Sequence, residues 1–269
     1  MRDCKLICLI GSSKRASAAL TLACVLLAVV PHAFGAGPII PLNERDRKEL
    51  AILGEGVVGE PIEAPVIRDP SEYYRPIVGQ WKYQITSGEQ RGQDFIETLT
   101  RIPKNEQGAT WKRSRDKYED LVSVSDETIH LTNEIDHQHG YLVDFSPRGH
   151  LLTASLNPGE SRTTKSTVRT FALSDPNTVY KTLRMNETYT YVGAYKVTTP
   201  AGVFDAVLFR NDFKVFAGPI TVDDFRYAFY AKGVGKVAGI EHGHAVVLLV
   251  FRFNQKIPKV LVDYPKSGN

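Results

Sequence analysis

From Gly79 onward the apolar residues of this chain recur at every second position, and that property narrows the fold more than any other. Trp81, Tyr83 and Ile85 alternate with Lys82, Gln84 and Thr86, the spacing of a strand with one buried face. Similar β-rich runs are predicted at 94–101, 110–117, 121–124, 128–135, 141–145, 150–156 and 166–171. They continue at 178–199, with an interruption, and at 203–216, 220–231, 236–240 and 245–253. Turn chemistry separates them: SPRG at 146–149, NPGE at 157–160, SDPN at 174–177, TPAG at 199–202 and KGVG at 232–235. No stretch after Gly79 carries apolar residues at helical spacing over three turns. The reading is an all-β domain over residues 79–259, a single curved antiparallel sheet or partly open barrel of roughly a dozen strands.

The flanks differ. Residues 36–78 predict a short helix, Glu44–Leu53, capped by Asn43 and stopped by Gly54. A Pro-rich arm follows, with Val66, Ile67, Tyr73, Tyr74 and Ile77 to hold it against the body. Residues 260–269 read as a C-terminal tail. Residues 1–35 combine Lys14-Arg15, a 13-residue apolar run from Ala18 to Val30, and the small residues Ala33 and Gly35. This is the pattern of a cleaved secretory signal peptide, with cleavage after Gly35. The apolar run is shorter than the ~20 residues that a spanning helix needs, and no later run is long enough either.

The same leader removes several function classes. It holds four basic residues against one acid, so of 33 basic and 30 acidic residues 29 of each remain beyond it. A neutral chain has no global attraction for nucleic acid or for anionic lipid. Cys4, Cys8 and Cys24 are the only cysteines, and all lie in the leader. The remainder therefore has no disulfide framework, cysteine nucleophile or thiolate metal site. Phosphate-loop and nucleophile-elbow motifs are absent, and no cofactor is expected.

Two segments carry a resemblance. Thr199-Pro200-Ala201-Gly202-Val203-Phe204 and the later Tyr230-Ala231-Lys232-Gly233-Val234-Gly235-Lys236-Val237 together resemble a signature of uncharacterised bacterial envelope proteins. Such proteins are similar in architecture to curved-sheet periplasmic proteins of the lipoprotein-carrier type. The resemblance implies a curved antiparallel sheet in the envelope and carries over no catalytic residue.

Histidine and aromatic placement supply the candidate sites. His137 with His139, and His242 with His244, form two His-x-His pairs, each beside a carboxylate. Alternate strand positions share a face, so each pair is a candidate Zn²⁺ or Cu²⁺ site. If every connection is a hairpin, the two pairs lie an odd number of turns apart, at opposite ends of the sheet. Glu119-Asp120 and the basic cluster Lys112, Arg113, Arg115 and Lys117 read as a solvated strand face. Beyond the leader stand 25 aromatic residues, dense near the C-terminus. Phe209, Tyr227, Phe229 and Phe251 with Arg210 are the candidate lining of an apolar ligand site, the arginine holding an acidic head. Arg226 has the opposite strand parity to Phe225, Tyr227 and Phe229.

The expected function is therefore an exported, non-enzymatic envelope protein. It binds a lipid or lipopeptide, or a protein partner, on a curved sheet. A metal-binding protein or metalloenzyme is the first alternative, and an envelope assembly factor with an exposed strand edge is the second.

Overall fold

The computed structural model describes residues 37–217, 220–242 and 256–266. The leader, the predicted strand 245–253, Phe251 and His244 lie outside the described residues. Thirteen strands follow in order: β1 (Val58–Ile62), β2 (Gly79–Ile85), β3 (Asp94–Arg101), β4 (Trp111–Arg115), β5 (Tyr118–Val124), β6 (Thr128–Asp136), β7 (Tyr141–Thr153), β8 (Ser161–Ala172), β9 (Asp175–Thr199), β10 (Gly202–Ala217), β11 (Ile220–Ala231), β12 (Gly235–His242) and β13 (Lys256–Asp263). Two short helices, α1 (Glu44–Leu50) and α2 (Ser71–Tyr74), precede β2.

The sheet closes. Its order runs β9-β10-β11-β12-β13-β2-β3-β4-β5-β6-β7-β8, and β8 pairs back onto β9. This is an antiparallel barrel of 12 strands with β1 as an extra strand. Closure is possible because β9 has 25 residues and one edge of it serves two partners. Its first part pairs with β8 as far as Thr190↔Ser161, and Ala194–Val197 pair with β1. Closure gives every strand of the ring a neighbour on both sides, though not along its whole length.

Alternation fills the interior as the period predicts. Trp81, Tyr83 and Ile85 are buried on β2, while Lys82 and Gln84 face out. The outer positions carry ion pairs in water, such as Lys82–Asp94, Lys196–Asp205, Arg169–Asp144 and Lys214–Asp223. That is unlike the apolar band of a lipid-facing barrel. Among the described residues no helix is long and apolar enough to cross a membrane.

The N-terminal segment is ordered against the outside of β9–β13. Asn43 caps α1 by accepting from the Asp46 amide at 2.8 Å, and Gly54 follows the 3₁₀ turn Ala51–Leu53. Asp46 receives hydrogen bonds from Arg210 (2.6 Å) and Tyr227 (2.7 Å), and Tyr195 Oη donates to the Ile40 carbonyl at 2.9 Å. Leu50, Leu53 and Ile67 are buried.

Three expectations are corrected. SPRG is not a hairpin turn: it lies inside β7, which runs unbroken from Tyr141 to Thr153. Four β7 residues, 145–148, stand opposite one on β6, so the segment is a large special bulge. Residues 260–263 are not tail, because β13 continues to Asp263 and pairs with β2. The Pro-rich arm supplies a strand of its own, β1.

Candidate functional site

Period two places charge on the inner wall. Glu97 lies between Phe95 and Leu99 at the inward positions of β3, and Arg113 and Arg115 share the parity of Trp111 on β4. Asp120 on β5, Glu134 on β6, Lys236 and Glu241 on β12 and Lys259 on β13 join them. All but Glu241 are buried. Lys259 Nζ lies 2.5 Å from Glu97 and 3.0 Å from Glu241, and Lys236 Nζ lies 2.8 Å and 2.6 Å from the same carboxylates. Arg113 and Arg115 both bind Asp120. Arg115 also reaches Glu241 at 3.8 Å and Glu134 at 4.0 Å.

Four cations thus face four carboxylates. Moving an ion out of water costs several kcal/mol, which only close counter-charges offset. Burial alone would raise the Glu97 carboxyl, but the ammonium groups of Lys236 and Lys259 outweigh it and hold it at about 2. Burial brings Lys259 down to about 8, opposed by Glu241 and Glu97. The solvated face expected at 112–120 is corrected here. Lys112 and Glu119 do pair on the outer side, at 3.0 Å, but Arg113, Arg115 and Asp120 belong to the interior.

Arg226 on β11 enters the same interior without a carboxylate. Its guanidinium lies 5.2 Å from the Phe213 ring centre, and its Nε is buried with no hydrogen-bond partner among the described residues. Asn211, its cross-strand neighbour, donates to the His150 carbonyl at 3.0 Å and leaves its own Oδ1 buried and unpartnered. Two small cavities, of about 50 and about 30 Å³, meet at Leu151, Asn211 and Arg226. The larger reaches Tyr189, Phe209 and the ion network, and the smaller is walled by Val143, Phe145, Met185 and Phe213. The carboxylates nearby have other partners: Glu134 lies 4.0 Å from Arg115, Glu187 faces His150 Nδ1 at 3.4 Å, and Glu241 holds the two lysines. His130 stacks on His150 with ring centres 5.2 Å apart. Burial, and then the charge of His150, push His130 down to about 4.

The structure does not bring the predicted ligand residues to one face. Phe209 points inward and stacks on Tyr189 and Tyr191 at 5.0 and 4.7 Å. Tyr227, Phe229 and Arg210 point outward, beneath the N-terminal segment. Arg210 is spoken for by Asp46 and Asp212, at 2.6 and 2.8 Å. Burial first, then the Asp46 carboxylate, raise the Tyr227 hydroxyl well above its usual range. Arg210 and Tyr227 fasten an arm, and of the three outward residues only Tyr227 also borders the larger cavity. The parity argument for Arg226 does match its inward position.

The histidine pairs also separate. His137 lies 3.6 Å from Glu119, whereas His139 Nδ1 turns to Asp136 at 2.8 Å. Because SPRG is no turn, the number of connections to His242 is even, and the β6–β7 turn and the end of β12 lie at the same end of the barrel. They remain six strands apart around a ring of 12, on opposite sides of the rim. Among the described residues no group of three His, Cys, Asp or Glu side chains is placed to hold a metal ion.

No family model matches the chain, and no curated protein matches its sequence. Solved structures with some likeness include an inferred exported protein with a YmcC-like fold from Bacteroides fragilis, at 13% identity. It covers 70% of this chain and 94% of that one, with a TM-score of 0.39. An inferred lipoprotein from Parabacteroides distasonis shows 12% identity, 72% and 97% coverage and a TM-score of 0.35. The hypothetical lipoprotein YmcC of Escherichia coli shows 8% identity, 84% and 99% coverage and a TM-score of 0.38. Likenesses of this degree assign no function to the chain.

Proposed function

We propose that the protein is exported and acts, without catalysis, as a binding protein for an amphiphile whose acidic head sits on Arg226 inside the barrel. The observation that carries this reading is how the interior cations are paired. Arg113, Arg115, Lys236 and Lys259 each pair with a carboxylate, whereas among the described residues no carboxylate pairs with Arg226, although Glu134 and Glu187 line the same cavity. A cation in such a place is stabilised by an anion that the chain itself does not supply. The leader, with its basic start, short apolar run and small-residue cleavage pattern, supports export. The non-catalytic reading rests on the interior carboxylates, each held by a cation or a histidine rather than poised to move a proton.

The test is a fluorescence titration of the chain from Ala36 with dansyl-undecanoic acid, a carboxylate on a single chain. Saturable binding is expected, weakened about tenfold or more in Arg226→Gln, as befits the loss of a charged hydrogen bond worth ~1.5–3 kcal/mol. Absence of saturable binding, or equal affinity in the variant, would refute the reading.

A second reading, pairing with another envelope protein, has one observation in its favour. Residues 175–182 of β9 are exposed, with Val179 at 44% and Tyr180 at 63%, and they pair with β8 alone among the described residues. A free strand edge is the usual place for another chain to add. Recovery of one cross-linked partner through a photoreactive residue at Tyr180, with no amphiphile bound, would favour it.

A further inference from the structure

The ladder between β7 and β8 is incomplete. β7 meets only the second half of β8, Tyr141–Ser146 against Thr167–Ala172. Beyond Ser146, residues 149–153 stay with β6 but leave β8. They are drawn inward instead. Tyr189 Oη donates to the Leu151 carbonyl at 2.7 Å, and Asn211 Nδ2 donates to the His150 carbonyl at 3.0 Å. On the opposite lip, residues 161–166 of β8 pair with β9 alone. The wall has a seam here without backbone hydrogen bonds. At its far end the connection 154–160 is tied by Arg162, which donates to Ser155 Oγ at 2.8 Å.

The smaller cavity lies behind this seam. Phe145, Gly149 and His150 of β7 wall it on one side. Met185 and Glu187, the β9 partners of Ser166 and Thr164, wall it on the other. The Ser166 hydroxyl on the β8 lip is buried with no hydrogen-bond partner among the described residues. Two other approaches are occupied by described residues. At one end Trp81 Nε1 donates to the Val234 carbonyl at 2.8 Å, and the Gly233 amide donates to Glu72 of α2 at 2.7 Å. At the other, on the β7–β10 side, Val143, Val168, Leu183, Met185 and Val215 pack together.

Volume then decides. A buried water needs ~10–15 Å³ of cavity volume, so cavities of about 50 and about 30 Å³ hold no more than a few water-sized groups and exclude an acyl chain. Resting on the binding reading above, we infer that the ligand is a single-chain acidic amphiphile that loads sideways through the β7–β8 seam. Its head lies on Arg226, and its chain leaves between Phe145 and Met185. The exposed Arg162 stands at the β8 lip and favours an acidic head on approach.

The experiment joins the lips. Arg148→Cys and Thr163→Cys are introduced together into the chain from Ala36, which has no other cysteine. A short bis-maleimide then links them, and exchange of dansyl-undecanoic acid is followed by stopped flow. Association and dissociation are both expected to slow about tenfold or more in the linked protein, as when any portal is tied shut. The same variant capped with a mono-maleimide is expected to exchange at the wild-type rate. Wild-type exchange in the linked protein would overturn the seam and leave binding at Arg226 standing. Failure of the unlinked protein to bind the probe would overturn both. Stearate spin-labelled near its methyl end gives a second readout. Selective broadening of amide signals at 145–151 and 161–166 is expected, and broadening at the 199–202 turn instead would contradict the inference.

Discussion

Glu97 shows how much rests on single buried charges. Two ammonium groups hold it at about 2 against an ordinary 4.5, so its carboxylate form favours the folded state. That contribution is complete above pH 4.5 and is lost as the pH falls from there towards 2. Glu97→Gln leaves Lys236 and Lys259 with Glu241 alone. It is expected to cost about 3 kcal/mol at neutral pH, the usual penalty for halving a buried pair, and to flatten the acid limb of the stability curve. Urea titrations at neutral and acid pH check both; an unchanged midpoint would refute them. The network was legible in part. Arg113 and Arg115 share the parity of Trp111, as Glu97 shares that of Leu99, so period two alone points them inward. Reading charge as solvation hid this, because composition ranks a charged strand as exposed while parity ranks position. Arg226 was placed correctly for the same reason that Arg210 was not. Only the fold reveals that the aromatic face beside Arg210 lies beneath an arm.

Among the elements, the N-terminal arm has the most exposed dependence on one residue. Asp46 is fully buried and ties α1 to β10 and β11 through Arg210 and Tyr227. Asp46→Ala removes that tie and leaves the part-buried Arg210 with Asp212 alone. The expected loss is about 2–3 kcal/mol, with faster tryptic cleavage at Arg45, Arg47 and Lys48 than in the β domain. Equal cleavage kinetics in variant and wild type would contradict this. The helix itself was legible, since Asn43 at the start and Gly54 at the stop are local signals. β7 was not. Ser-Pro-Arg-Gly has the chemistry of a turn, and nothing local distinguishes a hairpin from a bulge within one strand. That single residue run also decided at which end of the barrel the histidine pairs lie. In the TPAG and KGVG turns the local signal was sufficient. Gly235 has φ +102°, and a Cβ there would stand 3.2 Å from Trp81 Nε1, so only glycine suits the position.

At the scale of the whole molecule, closure joins the two ends of the β domain. β13 pairs with β2, Val260↔Gln84 and Leu261↔Tyr83, and Leu261 is fully buried. A chain stopped after Lys259 is therefore expected to lose its cooperative thermal transition, measured by circular dichroism, whereas one stopped after Pro265 keeps it. Two-state melting of the shorter chain would show that closure through β13 is dispensable. Antiparallel β class and strand number were readable from period and turns. Closure was not, because it depends on β9 being long enough to serve β8, β10 and β1 together, a property of pairing rather than of pattern.

The central claim is that Arg226 is an interior cation completed by a ligand's acidic head. Native mass spectrometry of the exported chain, purified without detergent or chelator, tests it most directly. The expected result is one acidic single-chain amphiphile carried per wild-type polypeptide and none on Arg226→Gln. A bare polypeptide mass for both proteins, or the same bound mass on the variant, would contradict the account.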